Sequence, residues 1–208
     1  MGPDIDIFLF LKEKNMTPLT SRQQEIVWSA IYLIDEKGIQ GLTIKNLAAR
    51  MKFTEAAIYR HFKSKGAILS AIIDMFKHQT KQIIHEKKQS TDATLDILEN
   101  TLITFNKTFS ENPAIVSVIF AEEIFQNETS LKAHLMDIIE ANEDFFQSII
   151  EQGQKKGEIR NDVDAQQIAV SILGTFRLIV KKWKLNGFKY SLSNETKKLT
   201  AYFRIIFS

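Results

Sequence analysis

Two threonines eleven residues apart, Thr43 and Thr54, each stand directly before a short run in which apolar and polar residues alternate with helical spacing. A threonine hydroxyl so placed accepts a hydrogen bond from a backbone N–H one turn into a helix, so each marks a helix start. The segment Leu42 to Lys65 is therefore expected to form two short helices joined by a tight turn near Lys52. Leu47, Met51, Phe53, Ile58 and Phe62 supply the apolar positions that lock such a pair, and Ala48 falls where a steep crossing admits only a small side chain. The pattern is that of a helix-turn-helix. Free N–H groups at its helix starts are of the kind that attract DNA phosphate.

Charge supports this locally. The whole chain, 208 residues at formal net charge +2, is too nearly balanced to point to nucleic acid. Between Leu42 and Ile68, however, six basic residues (Lys45, Arg50, Lys52, Arg60, Lys63 and Lys65) stand against one acid, Glu55, whereas Gln89 to Ser208 holds 13 basic and 16 acidic residues. Positive charge is thus gathered on the proposed DNA-reading segment. A solvated basic face would explain the charge alone, but not the two caps and the apolar lock beside it.

Ser21 to Met75, about a quarter of the chain, resembles the N-terminal domain of the TetR family of bacterial transcriptional regulators. The resemblance is carried by a leading helical segment, the two capped runs and the stretch Tyr59-Arg60-His61-Phe62-Lys63-Ser64-Lys65. It implies a second motif helix in the major groove. Thr43, Thr54, Tyr59, His61 and Lys65 would then position the head on phosphates, and Lys45, Glu55 and Ala56 would meet base edges. Lysine suits guanine O6 or N7 and glutamate a cytosine amino group, although Glu55 could also support its helix start electrostatically. Arg50, Lys52 and Lys63 read as peripheral charge. The family usually places Gly where this chain has Lys52. Left-handed backbone there costs Lys about 1 kcal/mol relative to Gly, so a slightly reshaped turn is expected.

The rest of the chain reads as helix. Three Pro and eight Gly leave room for long uninterrupted helices, and 44% hydrophobic residues can fill a second core. The expected fold is all-α: an N-terminal lead over residues 1–20, a three-helix DNA-binding domain over 21–70, and an effector-binding and dimerisation bundle over 71–208. Ser21 with Gln24 offers a capping box for a first helix closed by Gly38. Ser64 can cap a helix to about Lys88, which would connect the head to the rest. Further helices are expected from Leu95 to Phe109, from Ala114 to Gln126, from Ser130 to Lys156, from Ala165 to Leu185 after an Asp164 cap, and from Ser193 onward.

The helix Ala165 to Leu185 is apolar around most of its circumference, so it is either internal or a subunit interface. TetR-like proteins pair through their last two long helices, which implies a homodimer with Ile172, Phe176, Ile179, Trp183, Leu199, Tyr202, Phe203 and Ile206 at its interface. Such a dimer would present two heads to a palindromic duplex operator. The resemblance also implies a cavity for a largely apolar small molecule among the helices from Ile72 to Lys156. Phe76, Phe105, Phe109, Phe120, Glu122, Phe125 and Phe145 are the candidate lining, with Asn106, Glu123 and His134 as further polar groups.

Other classes find little support. The chain has no Cys, hence no disulfide scaffold and no thiolate nucleophile or metal ligand. His78 and His85 share a helix face but lack a carboxylate at a spacing that completes a metal site. There is no phosphate-cradling Gly-rich loop, no nucleophile elbow and no zinc-protease motif, and adjacent Glu122 and Glu123 point to different sides of a helix. Neither a secretory signal nor a run of about 20 apolar residues is present, so a cytoplasmic, membrane-free protein is expected. The expectation is a non-enzymatic, cofactor-free regulator, most simply a ligand-released repressor. An activator or ligand-independent regulator of the same fold is the alternative, and a helical interaction protein is the non-regulatory one.

Overall fold

The computed structural model describes residues 19–120 and 129–208. Among them are nine helices and no strand: α1 (Ser21–Gly41), α2 (Ile44–Met51), α3 (Glu55–Tyr59), α4 (Lys65–Lys88), α5 (Thr94–Glu111), α6 (Pro113–Ile119), α7 (Thr129–Lys156), α8 (Ala165–Leu185) and α9 (Leu192–Phe207). The chain divides into two compact units, Met1–Met75 and Phe76–Ser208, with α4 contributing residues to each. The expected lead lies outside the described residues, apart from Leu19 and Thr20.

In the first unit α1 opens on a capping box one residue earlier than expected. Thr20 Oγ1 accepts from Gln23 N–H at 3.3 Å, and Gln23 Oε1 accepts from Thr20 N–H at 3.0 Å. Gln24, expected to close that box, instead donates to the Leu19 carbonyl at 3.0 Å. Gly38 breaks the helical backbone as expected, at φ 67° and ψ −179°, a conformation open essentially to glycine alone, but helix continues beyond it to Gly41. Ile26, Val27, Ala30 and Ile31 of α1 are fully buried, and with Leu47, Ile58, Ile68 and Ile72 they form the unit's core.

The second unit is tied together at its helix ends. Ala93 at the start of α5 has no side chain that can cap, and Glu158, in the loop after α7, supplies the acceptor: its Oε2 takes the Thr94 N–H at 2.7 Å. The same loop closes α9, because Arg160 donates its backbone N–H to the Phe207 carbonyl at 2.9 Å and its Nη1 to the Ile206 carbonyl at 3.3 Å. Arg204 of α9 donates to Glu99 of α5 at 2.7 and 3.0 Å and also to Asp96. Asp164 caps α8 as expected, accepting from Gln166 and Gln167 N–H at 3.0 and 3.1 Å.

The bounds of α9 and α6 also differ from expectation. The last helix starts at Leu192, capped by Ser191 accepting from Asn194 N–H at 3.2 Å, rather than at Ser193. Pro113 opens α6, where its missing N–H costs nothing, and α6 ends at Ile119 with Phe120 as its cap; the remainder of the expected helix to Gln126 lies outside the described residues. Among the described residues no helix is long and apolar enough to cross a membrane.

Candidate nucleic-acid interface

Both threonines cap as their spacing predicts. Thr43 Oγ1 accepts from Asn46 N–H at 3.1 Å, and Thr54 Oγ1 accepts from Ala57 N–H at 3.2 Å. Asn46 reaches back to donate to the Gly41 carbonyl at 2.9 Å, anchoring the start of α2 on the end of α1. The turn between α2 and α3 is not reshaped. Lys52 adopts the left-handed conformation itself, at φ 56° and ψ 40°, and Phe53 N–H closes the turn on the Ala48 carbonyl at 2.8 Å. Leu47, Ala48, Ile58 and Phe62 are buried between the helices. Met51 and Phe53 are half-buried, and the Arg22 guanidinium lies 5.1 Å from the Phe53 ring centroid.

That packing decides which side chains point outward. Thr43, Lys45, Thr54, Glu55 and Ala56 are exposed, as is Tyr59, half of whose surface stays open despite its aromatic ring. His61 and Lys65 are half-buried; Gln23 donates to the His61 carbonyl at 3.4 Å, and Lys65 Nζ donates to the Ile39 carbonyl at 3.1 Å. Lys65 thus holds its ammonium beside the end of α1. Arg50 is fastened to Glu36 by contacts of 2.8 and 2.9 Å and lies 5.6 Å from the Tyr32 ring centroid, so it pins α2 to α1.

In the second unit Phe105 and Phe109 converge on Phe176 of α8, and Phe120 packs on Phe109. Ring centroids are 6.5 Å apart for Phe105 and Phe176, 6.3 Å for Phe109 and Phe176, and 5.9 Å for Phe109 and Phe120. The Arg177 guanidinium lies 4.9 Å from the Phe120 ring. Phe76 is buried separately, and Phe145 packs edge-on to Phe146 at 5.6 Å. Asn106 is buried and satisfied, donating to Thr196 Oγ1 at 3.2 Å and accepting from Ser110 at 2.9 Å. His134 is half-buried, and Glu122, Glu123 and Phe125 lie outside the described residues. No group of His, Cys, Asp and Glu suited to a metal occurs among the described residues.

Residues 26–72 match the family model described as bacterial regulatory proteins, tetR family, and residues 73–206 match that of the YsiA-like protein, C-terminal region. The chain belongs to the TetR family. Like other members, this TetR-family protein is a DNA-binding transcriptional regulator. The Fatty acid metabolism regulator protein of Bacillus subtilis is 26% identical over 176 residues, 82% of this chain and 88% of the relative. Nucleoid occlusion factor SlmA of Photobacterium profundum is 23% identical over 82% of this chain and 88% of its own. Among solved structures, the fatty acid degradation regulator FadR of Bacillus halodurans superposes with a TM-score of 0.77 at 18% identity, covering 93% of this chain and 97% of that one. FadR of Bacillus subtilis in complex with stearoyl-CoA superposes at 0.72 and 21% identity, covering 86% and 95%.

In this TetR-family protein one exposed cation went unassigned in the sequence. Arg60 follows Tyr59 as the exposed cap residue that closes α3. Of the residues expected at a subunit interface, Ile172, Phe176, Trp183, Leu199 and Phe203 are buried within the protomer, Ile179 and Ile206 are half-buried, and Tyr202 is exposed. On α8 and α9 the aliphatic side chains that face outward include Leu178, Leu185 and Ile205, 57, 77 and 80% exposed, together with Val170. Gly174 lies on the same face of α8 as Leu178, and open space surrounds the position a Cβ would occupy.

Proposed function

We propose that the protein is a homodimeric, cytoplasmic repressor that grips a palindromic operator through α2 and α3 and is released by a largely apolar small molecule. One observation carries the reading: two threonine-capped helices locked by a buried apolar seam, with Lys45, Glu55, Ala56, Tyr59 and Arg60 all left on the outward side. Tyr59 and Lys65 anchor backbone phosphates, while Lys45 and Glu55 meet base edges. The outward apolar residues of α8 and α9 support pairing along that face, since a soluble chain gains by covering a run of Leu178, Leu185, Tyr202 and Ile205. The cluster of Phe105, Phe109, Phe120 and Phe176 supports an apolar effector. Likeness to the fatty acid metabolism regulator, and to a FadR that binds stearoyl-CoA, supports a long-chain acyl thioester as its class.

The test is selection of bound duplexes from a random library at low salt, followed by titration of the enriched duplex complex with stearoyl-CoA. A palindrome should emerge, and the acyl-CoA should release it while unacylated CoA does not. Enrichment of no palindrome overturns the operator reading. Release by neither compound removes the acyl thioester and leaves the DNA reading standing.

A further inference from the structure

Only one asparagine in the chain, Asn186, is followed by glycine. The pair stands where α8 ends, with Asn186 as its cap, and both residues are exposed. An asparagine in this position is open to attack by the backbone on its own side chain. Glycine carries no Cβ to shield its nitrogen or to hinder the rotation that brings that nitrogen to the side-chain amide carbon. What sets the rate is how often the fold permits the approach.

The closed turn keeps the reacting atoms apart. Asn186 holds near-helical backbone at φ −82° and ψ 9°, and Gly187 follows at φ 62°. A five-membered ring through Gly187 N and Asn186 Cγ needs that ψ rotated far from its present value. Both reacting groups are also engaged. Gly187 N–H donates to the Lys184 carbonyl at 2.8 Å, which disfavours loss of its proton, and Asn186 Nδ2 donates to the Lys182 carbonyl at 3.2 Å, which draws the side-chain amide back along α8.

The surrounding bonds form the Schellman ending of a helix. Phe188 N–H donates to the Trp183 carbonyl at 3.0 Å, and the Phe188 ring stands edge-on to Trp183 with centroids 4.7 Å apart, the apolar contact that accompanies this motif. Trp183 Nε1 donates in turn to the Tyr190 carbonyl at 2.9 Å. Phe188 itself sits at φ 62°, a conformation disfavoured for a bulky aromatic, so opening the turn relieves a cost as well as breaking bonds.

We propose that Asn186 is a deamidation site gated by this turn, inert while the turn is closed and reactive when it opens. In the open turn Gly187 N gives its proton to solvent base and its electron pair forms a bond to Asn186 Cγ. The Cγ–Nδ2 bond then breaks, the side-chain nitrogen leaves as ammonia, and water opens the resulting succinimide to aspartate or isoaspartate. Amide and water become carboxylate and ammonium, with no oxidant and no cofactor. Neither product restores the turn as it was. Each sets a negative charge at the C-terminal end of α8, where the last carbonyls already concentrate negative charge. Isoaspartate also routes the backbone through Cγ, lengthening the span that the Gly187 and Phe188 hydrogen bonds close. The connection to α9, which begins at Leu192, is thereby loosened in copies that have opened. None of this chemistry depends on what the head or the effector domain binds.

The experiment incubates the full chain in mildly alkaline heavy-oxygen water, so that only acid formed before digestion carries the label, and weighs the tryptic peptide Leu185–Lys189. The folded chain should deamidate roughly 5- to 150-fold more slowly than the same chain unfolded in urea, the protection that two closing backbone hydrogen bonds of ordinary net strength provide. Phe188→Ala removes the ring contact and keeps the Asn–Gly pair; it should raise the folded rate several-fold toward the unfolded one. Equal rates in the folded and unfolded wild type overturn the proposal, as does an absence of label in both. A folded rate unmoved by Phe188→Ala overturns the gate. Protection that grows with protein concentration assigns the shielding to a contact between copies instead. Should Phe188→Ala not fold, the wild type decides alone: at urea concentrations below global unfolding its deamidation should rise in step with hydrogen exchange at the Gly187 amide, and a rate that rises only with global unfolding removes the local gate.

Discussion

Lys52 holds left-handed backbone at the turn between α2 and α3, where glycine would be unstrained. Replacing it with Gly relieves about 1 to 2 kcal/mol of steric cost, against about 0.4 to 1 kcal/mol of added unfolded-chain entropy. Lys52→Gly should therefore stabilise the head by up to about 1.6 kcal/mol. Slower amide hydrogen exchange in α2 and α3 would show it, and faster exchange would mean that the lysine side chain contributes more than its backbone costs. Glu158 offers a titratable counterpart. The Thr94 hydroxyl and then its backbone N–H hold the Glu158 carboxyl below the usual carboxylate range, helped by Lys156 and opposed by burial. A carboxyl whose folded pKa is depressed contributes stability above its unfolded value, about 4.3, and loses that contribution as pH falls through the folded value. The Thr94 amide should therefore be protected at neutral pH and lose protection, relative to its intrinsic exchange rate, as pH drops below the carboxylate range. Glu158→Gln should flatten that pH dependence; a profile unchanged by the substitution would mean that another group caps α5.

At the scale of elements, α5 and α7 are in tight contact where Gly153 meets the start of α5. A Cβ on Gly153 would sit 2.7 Å from Thr94 Cγ2 and 3.0 Å from Ile159 Cδ1, and Thr94 is itself buried. Overpacking of this kind costs about 1 to 3 kcal/mol, and the gain in helix propensity over Gly offsets about 1 kcal/mol. Gly153→Ala should thus lower the thermal midpoint even though it favours helix, and a raised midpoint would show that the two helices can part cheaply. A second contrast separates core from interface on α8. Phe176→Asp should unfold the bundle, since a charge is driven among packed rings. Leu178→Asp should leave helical circular dichroism intact and yield monomers in sedimentation equilibrium; a dimeric Leu178→Asp would place the subunit contact elsewhere. This contrast also shows where sequence reasoning stops. Caps such as Thr43, Thr54, Ser64 and Asp164 are local, three-residue chemistry, so those four helix starts were legible; Thr20 and Ser191 were missed because a neighbouring Ser stood within two residues and could cap as well. Apolar period says that Phe176 and Phe203 are covered, but not whether by α5 or by another chain, because both coverings demand the same pattern. Lys65 and Arg50 were legible as cations only, their partners Ile39 and Glu36 being set by tertiary packing.

For the whole molecule, the two units are joined covalently only through α4, which runs without interruption from Lys65 to Lys88 across the division after Met75. A repressor needs its effector and its operator to oppose one another, and a continuous helix is an element along which a change around Phe76 can reach Ile68 and Ile72 in the core of the head. Half-sites one or more turns of DNA apart tolerate little change in the spacing of paired recognition helices, so a small reorientation suffices. A typical coupling free energy of about 1 to 3 kcal/mol corresponds to roughly 5- to 150-fold in affinity, and linkage makes it reciprocal: saturating operator must weaken effector binding by the factor by which effector weakens operator binding. Met75→Gly tests the route. Glycine within a helix costs about 1 kcal/mol and loosens the backbone at the division while leaving both binding surfaces in place. The expected result is near wild-type affinity for operator alone and for effector alone, with the reciprocal factor reduced toward one, as read by titrating each ligand in the presence of the other. A coupling factor that survives Met75→Gly unchanged would mean that the rigidity of α4 does not carry the signal. A factor of one in the wild type would make this regulator one controlled by its abundance or by another protein.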